Sequence, residues 1–106
     1  MQLAIEIGAI KSDTLRESVE WVQFAEKLGV GMAFSAEAWW SDALTPLAYL
    51  ADKTRQIKLA TGIMQTTART PAMTAMSALT LYDLTEGRFV LGLGASGPQV
   101  VEGLHS

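Results

Sequence analysis

Two periodicities alternate along the chain. Residues 3–8 place Leu3, Ile5 and Ile7 two apart, the spacing that buries one face of a β-strand. Thr14-Leu-Arg-Glu17 has the form of a capping box and predicts the start of a helix. Beyond it Leu15, Val19, Val22 and Ala25, with Trp21, Phe24 and Leu28, predict a broad apolar face. Gly29 stands where a helix-terminating glycine is expected. Residues 31–36 read as a second strand. Thr45-Pro46 reads as the cap and first residue of a second helix carrying Leu47, Leu50 and Ala51. Ile57–Ile63 predicts a third strand. Thr70-Pro71 repeats the cap-then-proline start for a third helix, with Met73, Met76, Leu79 and Tyr82 turned inward. Gly87 ends that helix, and Phe89–Leu93 is the fourth strand.

Strand and helix thus alternate three times before a fourth strand. The linkers are short, so the strands are expected to be parallel with right-handed crossovers. Two architectures share this order: an open doubly wound sheet, and the first half of a (β/α)8 barrel, which in full needs ~250 residues. The third and fourth strands, with Leu-Ala-Thr-Gly-Ile and Val-Leu-Gly-Leu-Gly, put small residues on one face, which suits a tapering barrel mouth. The expected fold is therefore α/β: the N-terminal half of a TIM barrel, about four parallel strands with three helices. Residues 1–106 are read as one partial barrel domain.

Composition narrows the function. A net charge of -3 gives no basic field for nucleic acid or an anionic membrane. With no cysteine there is no disulfide, thiolate metal site or Cys nucleophile. The first residues lack the basic and long apolar regions of a signal peptide, which fits a cytoplasmic protein. No stretch is apolar enough to span a bilayer. At 49% hydrophobic residues and a mean hydropathy of +0.22 the chain is apolar for its length, as though some of that surface meets something else.

Few residues offer chemistry. Gly92-Leu-Gly94-Ala-Ser-Gly97 matches the spacing of a dinucleotide fingerprint. That fingerprint belongs after a first strand and before a helix, whereas this one follows the fourth strand and meets Pro98. A tight turn at the end of a buried strand explains the glycines as well. Glu37 lies just past the second strand beside Trp39 and Trp40. A carboxylate next to two indoles suggests a pocket for a planar ligand, with apolar surroundings raising the carboxyl pKa for acid–base work. A solvated Glu37 beneath rim tryptophans is the plainer alternative. Glu6 either points into the barrel mouth or marks an exposed edge. Arg69 either meets an anionic ligand or bridges to a neighbouring carboxylate. Met32, Met73 and Met76 read as core filler. His105, the single histidine, sits one residue from the end, so neither a triad nor a histidine metal site is expected.

Taken together, Glu37-Ala-Trp39, residues 48–63, residues 68–76 and residues 87–103 resemble the luciferase-like monooxygenase superfamily, in particular its deazaflavin-dependent, methylenetetrahydromethanopterin reductase-like members. The resemblance implies a TIM-barrel oxidoreductase of small molecules. Its coenzyme F420, or FMN in other branches, would lie at the carboxyl ends of the strands. It implies a catalytic role for Glu37 and a ring-lining role for Trp39. Gly62 and Ile63 fall where relatives bulge the third strand, often with a non-prolyl cis peptide. Gly94, Ala95, Ser96 and Gly97 fall in the turn that approaches the cofactor. Ala38 departs from the pattern, since many relatives carry histidine there. The alternatives are an FMN-dependent monooxygenase of the same superfamily and a non-catalytic, self-associating half-barrel module. The implied partners are a homo-oligomer or a missing C-terminal half.

Overall fold

The computed structural model describes residues 3–7 and 15–104. Thr14 and His105 lie outside them. Ten elements follow in order: β1 (Ala4–Glu6), α1 (Ser18–Lys27), β2 (Met32–Ser35), α2 (Leu44–Ala51), β3 (Lys58–Thr61), β4 (Met64–Gln65), α3 (Pro71–Leu84), β5 (Phe89–Val90), β6 (Leu93–Gly94) and α4 (Pro98–Leu104).

The main sheet has the order β1-β2-β3-β5 with every pair parallel. Sequential order with helical crossovers is the winding of a (β/α) barrel; a doubly wound sheet would reverse direction partway. The expected half-barrel is therefore the observed fold, with one helix more than expected.

Alternation sorts the strand residues by face. Ile5, Ile7, Ala33, Leu59 and Phe89 pack with Val22, Leu47, Leu50 and Leu81 from the helices. The opposite, concave face carries Glu6, Phe34, Ala60 and Val90 as one registered row. Glu6 is exposed there, on the edge strand.

The third and fourth predicted strands are each broken in two. β3 and β5 pair before the break, through Leu59↔Phe89 and Ala60↔Val90. Past it, β4 and β6 pair separately through Met64↔Leu93 and Gln65↔Gly94. The break in the third falls at Gly62–Ile63, where the resemblance implied a bulge; the matching break in the fourth, inside the apolar run Phe89–Leu93, was not expected.

Helix ends follow their caps, with two shifts; α1 begins at Ser18, later than Thr14-Leu-Arg-Glu17 suggests, with Glu17 at the cap position and no side-chain cap. Thr70 caps α3 as expected, its side chain accepting from the Met73 N–H, with Pro71 in the first turn. Gly29 and Gly87 close α1 and α3 at φ +87° and +84°, the left-handed region open to glycine. α2 begins at Leu44, earlier than expected, because Asp42 Oδ2 accepts from the Leu44 and Thr45 N–H groups and from the Thr45 hydroxyl. Pro98, expected to deny a helix after the glycine turn, instead starts α4, since proline at a first helical position removes no needed N–H.

Two helix faces also differ from expectation. In α1 only Ser18, Val22 and Ala25 are buried; Trp21, Phe24 and Leu28 face outward. In α3 the single buried residue is Leu81, while Met73, Met76, Leu79 and Tyr82 are exposed. α3 is apolar on nearly every side, so periodicity could not choose its inner face.

At the amino-terminal end of the sheet, side chains staple the loops. The Glu26 carboxylate accepts from the N–H groups of Arg55, Gln56 and Ile57 at 2.9, 2.6 and 2.8 Å. Arg88 donates to the carbonyls of Ala51, Ile57 and Thr85 and to the Thr54 hydroxyl. This end is built for stability; the opposite end, as in barrels generally, is the candidate for chemistry.

Candidate functional site

Glu37 organises the carboxyl-terminal edge. It follows β2, where the chain leaves the sheet toward α2. Its Oε1 accepts from the Gln65 N–H at 2.8 Å and from Arg69 Nη1 at 2.7 Å. Its Oε2 accepts from the Ala43 N–H at 2.8 Å and from Arg69 Nη2 at 3.1 Å. Gln65 returns a bond from Nε2 to the Glu37 carbonyl at 2.8 Å. One carboxylate thereby fixes the start of α2, β4 and the approach to α3. Asp42 stands 3.8 Å from Arg69 Nη2 and adds a second negative charge.

This environment reverses the expected pKa. Burial alone pushes the Glu37 carboxyl up, but the Arg69 hydrogen bonds, the Gln65 and Ala43 N–H groups and the guanidinium charge outweigh it. The carboxyl is held below its ordinary value, and Arg69 is held above its own chiefly by the hydrogen bond to Glu37. A carboxylate saturated with donors and anionic at neutral pH is poorly suited to exchanging protons. Arg69 takes the plainer of its two expected roles, a bridge to a carboxylate.

Beside this clamp lies the break between β3 and β4. The Gly62–Ile63 peptide bond there is cis. A Cβ at Gly62 would stand 2.8 Å from the Phe34 ring. At Gly92 it would overlap the Thr61 carbonyl oxygen, and at Gly94 it would overlap the Ile63 side chain. Strand four can lie flush against the broken strand three only where these side chains are missing. The Thr61 hydroxyl closes the step, accepting from the Gly92 N–H and donating to its carbonyl, both at 2.8 Å. The ladder resumes with Met64 N–H to Gly92 O at 2.8 Å and Thr66 N–H to Gly94 O at 2.9 Å.

Ala95 is exposed just past β6. Ser96 adopts φ 65°, and the Gly97 carbonyl accepts from Val100 and Val101 as α4 begins. A Cβ at Gly97 would meet only the flexible end of Gln99. α4 returns toward the tryptophan loop: a Cβ at Gly103 would stand 3.6 Å from the Trp39 ring. Trp39 is half exposed, and Trp40 is 95% exposed. A cavity of about 220 Å³ runs between Glu37, Trp39, Trp40, Arg69 and Leu104.

The expected site residues thus fall at one end of the sheet. Gly94 packs on Ile63, Glu37 grips β4, and Trp39 lies against α4, with Ala95, Ser96 and Gly97 forming the connecting turn. Gln65, Thr61 and Asp42 were not singled out. Asp42 carried a readable signal, an aspartate just ahead of a helix. Gln65 and Thr61 carried none, because their partners lie 28 and 31 residues away. Among the described residues no cluster of acidic or histidine side chains could hold a metal, and no helix is long and apolar enough to cross a membrane.

The family described as luciferase-like monooxygenase matches residues 2–106. The chain is 48% identical over 105 residues to a protein of Mycobacterium tuberculosis named as a coenzyme F420-dependent oxidoreductase, covering 99% of this chain and 30% of that one. Its fold resembles the coenzyme F420-dependent tetrahydromethanopterin reductase of Methanopyrus kandleri, with TM-score 0.84 and 24% identity over 97% of this chain and 29% of that one. It also resembles the oxygenating constituent of 3,6-diketocamphane monooxygenase of Pseudomonas putida, solved with FMN, with TM-score 0.80 and 22% identity over 100% of this chain and 33% of that one. The chain thus spans about a third of the length of these proteins.

Proposed function

The chain belongs to the luciferase-like monooxygenase family, and we propose that it forms the ring-facing wall of a coenzyme F420-dependent oxidoreductase acting on a small organic substrate. The observation that carries the choice of cofactor is the 48% identity, over nearly the whole chain, to a relative named for F420. Likeness to the FMN-bound structure is a likeness of fold.

The residues fit a flat ring. Gly92 and Gly94 keep side chains off the strand ends, Ile63 and Ala95 add small or apolar surface beside Gly94, and Trp39 is half exposed at the same end of the sheet. They fit an anionic tail less well, because Arg69 is committed to Glu37. Bound there, the deazaflavin would supply hydride transfer to or from the substrate. Trp39 would bound the ring's edge, and the turn Ala95–Gly97 would bring backbone to it. Glu37 is assigned the positioning of this mouth, in place of the acid–base role expected from its neighbours.

Titration of the purified chain with F420, followed by deazaflavin fluorescence, tests this. A saturable change is expected with a Kd of about 0.1 mM, or about −5.5 kcal/mol, as for a partial site. Trp39→Ala should weaken it. A flat response to F420 and to FMN at higher protein concentration would refute the ring wall. Tighter binding of FMN would move the assignment to the flavin monooxygenases.

A further inference from the structure

Among the described residues, Phe34 is the one aromatic side chain that strand alternation places on the concave face. In the registered row it stands between Glu6 of β1 and Ala60 of β3. Gly62 is the next residue of strand three on that face. Its N–H donates to the Ser35 carbonyl at 2.8 Å, so strands two and three stay joined up to the step. Phe34 and Gly62 are therefore diagonal neighbours, a spacing that a ring bridges when it leans along its strand. It does so here: a Cβ at Gly62 would stand 2.8 Å from Phe34 Cδ2, 3.3 Å from Cγ and 3.5 Å from Cβ. The place a side chain would take at position 62 is already filled by the ring of position 34.

That occupancy changes what a ligand at the mouth can touch. The resemblance puts both Gly62 and Ile63 beside the cofactor. Ile63 is partly exposed and meets Gly94. Gly62 has no side chain to offer, and on the concave side the Phe34 ring lies against it. Phe34 is itself only partly buried. The rest of the row offers no comparable surface. Ala60 ends in a methyl and is 4% exposed, Val90 lies two strands away, and Glu6 is on the edge strand.

We propose that Phe34 is the floor of the ring site: a flat, uncharged ring face at the mouth meets Phe34 where it would otherwise meet Gly62, and Phe34 sets how deep that ring lies. The inference rests on the cofactor reading and adds to it a contact residue with side-chain chemistry of its own. An aromatic side chain takes a second ring in an offset or edge-to-face arrangement. A charged group lying there would give up its water for a hydrocarbon surface, so charged parts of a ligand are turned away from this floor.

Fluorine NMR of the full chain labelled with para-fluorophenylalanine tests the contact without substituting any residue. Resonances are expected from Phe24, Phe34 and Phe89, and Phe34→Leu assigns the second by its loss. Phe24 is exposed on α1 and Phe89 lies in the core against the helices, so both serve as references. Addition of F420 should move the Phe34 resonance alone, saturating together with the deazaflavin fluorescence change. Phe34→Ala should weaken F420 binding by about tenfold, whereas Phe34→Tyr, which keeps the ring, should hold it within about twofold. A cofactor-free cycle tests the packing. Gly62→Ala should lower the melting temperature by about 5 °C or more, and by less than half as much when Phe34 is also replaced by Ala. A saturable fluorescence change with an unmoved Phe34 resonance, or a Gly62→Ala cost that is the same with and without the Phe34 ring, would overturn this inference and leave the cofactor reading standing. No saturable response of the unsubstituted chain to F420 would overturn both.

Discussion

Replacing Glu37 by Gln tests whether the mouth is held by one carboxylate. The side chain has four donors at 2.7–3.1 Å, two on each oxygen. An amide turned either way presents its own NH2 to two of them. Two donors then lose their acceptor, and Arg69 keeps only Asp42 at 3.8 Å as a counter-charge. Breaking a buried pair costs about 3–5 kcal/mol. Here the side chains are 16% and 8% exposed and Asp42 remains, so the cost falls below that range, to about 2–3 kcal/mol. With a urea slope of about 1.5 kcal/mol/M for a chain of this size, the midpoint should fall by about 1.3–2 M. Urea unfolding followed by tryptophan fluorescence reads this directly. Arg69→Met should cost a similar amount, and the double variant less than the sum by about 1–2 kcal/mol, since the second change removes a charge already stranded by the first. A Glu37→Gln midpoint within about 0.3 M of the parent, or strict additivity in the double variant, would show that the carboxylate does not organise these segments.

Other predictions address pH, the glycine turn and the amino-terminal staple. Glu26 and Glu37 are both held below the ordinary glutamate value in the folded chain, so the stability they contribute is present above the unfolded pKa of about 4.3 and is lost as pH falls through their folded values; thermal melts from pH 6 down to 3 should show the loss, and Glu37→Gln should flatten it. Gly92→Ala, which sets a Cβ on the Thr61 carbonyl, should destabilise by about 3 kcal/mol, whereas Gly97→Ala, facing only Gln99, should change stability by under about 1 kcal/mol, as thermal melts of both will show. Arg88→Met strands acceptors on three segments and should cost about 2–4 kcal/mol in urea unfolding without moving F420 fluorescence.

Element order was legible because each element carried a local signal: period two in residues 3–7, a cap and proline at Thr70-Pro71, a left-handed glycine at Gly29 and Gly87. What failed to show depended on partners distant in sequence. The resemblance implied the bulge at Gly62–Ile63, but nothing local at Leu91 says that strand four steps with it, since Val90, Leu91 and Leu93 keep that run apolar. Nothing local in α3 says that Leu81 faces the sheet and Leu79 does not. The carboxyl end also misled through composition. Tryptophans beside Glu37 suggested an apolar cage and a raised pKa, yet the group that decides the matter is Arg69, 32 residues on. The family resemblance added the cofactor-facing reading at the glycine turn, where the spacing matched a dinucleotide fingerprint that its place after the fourth strand already disfavoured.

The three glycines of that turn answer to different constraints. Gly92 and Gly94 are consumed by packing: a side chain at either would collide with Thr61 or Ile63, that is, with the broken third strand itself. Gly97 meets no such wall, and the left-handed residue of the turn is Ser96. The fingerprint spacing is thus a by-product of seating strand four against a neighbour that is itself stepped, with Gly62 held against Phe34. Once seated, the strand ends present backbone and small residues to the concave side, and only past β6 does the chain become free to meet a ligand. Under the proposed function, ligand-facing roles would fall to Ile63, Ala95, Ser96 and Gly97, while the packing of Gly92 and Gly94 would set the level at which that surface lies. A ring lying on this surface would be positioned by the fit between two strands, and Glu37, by fixing β4, controls one of them.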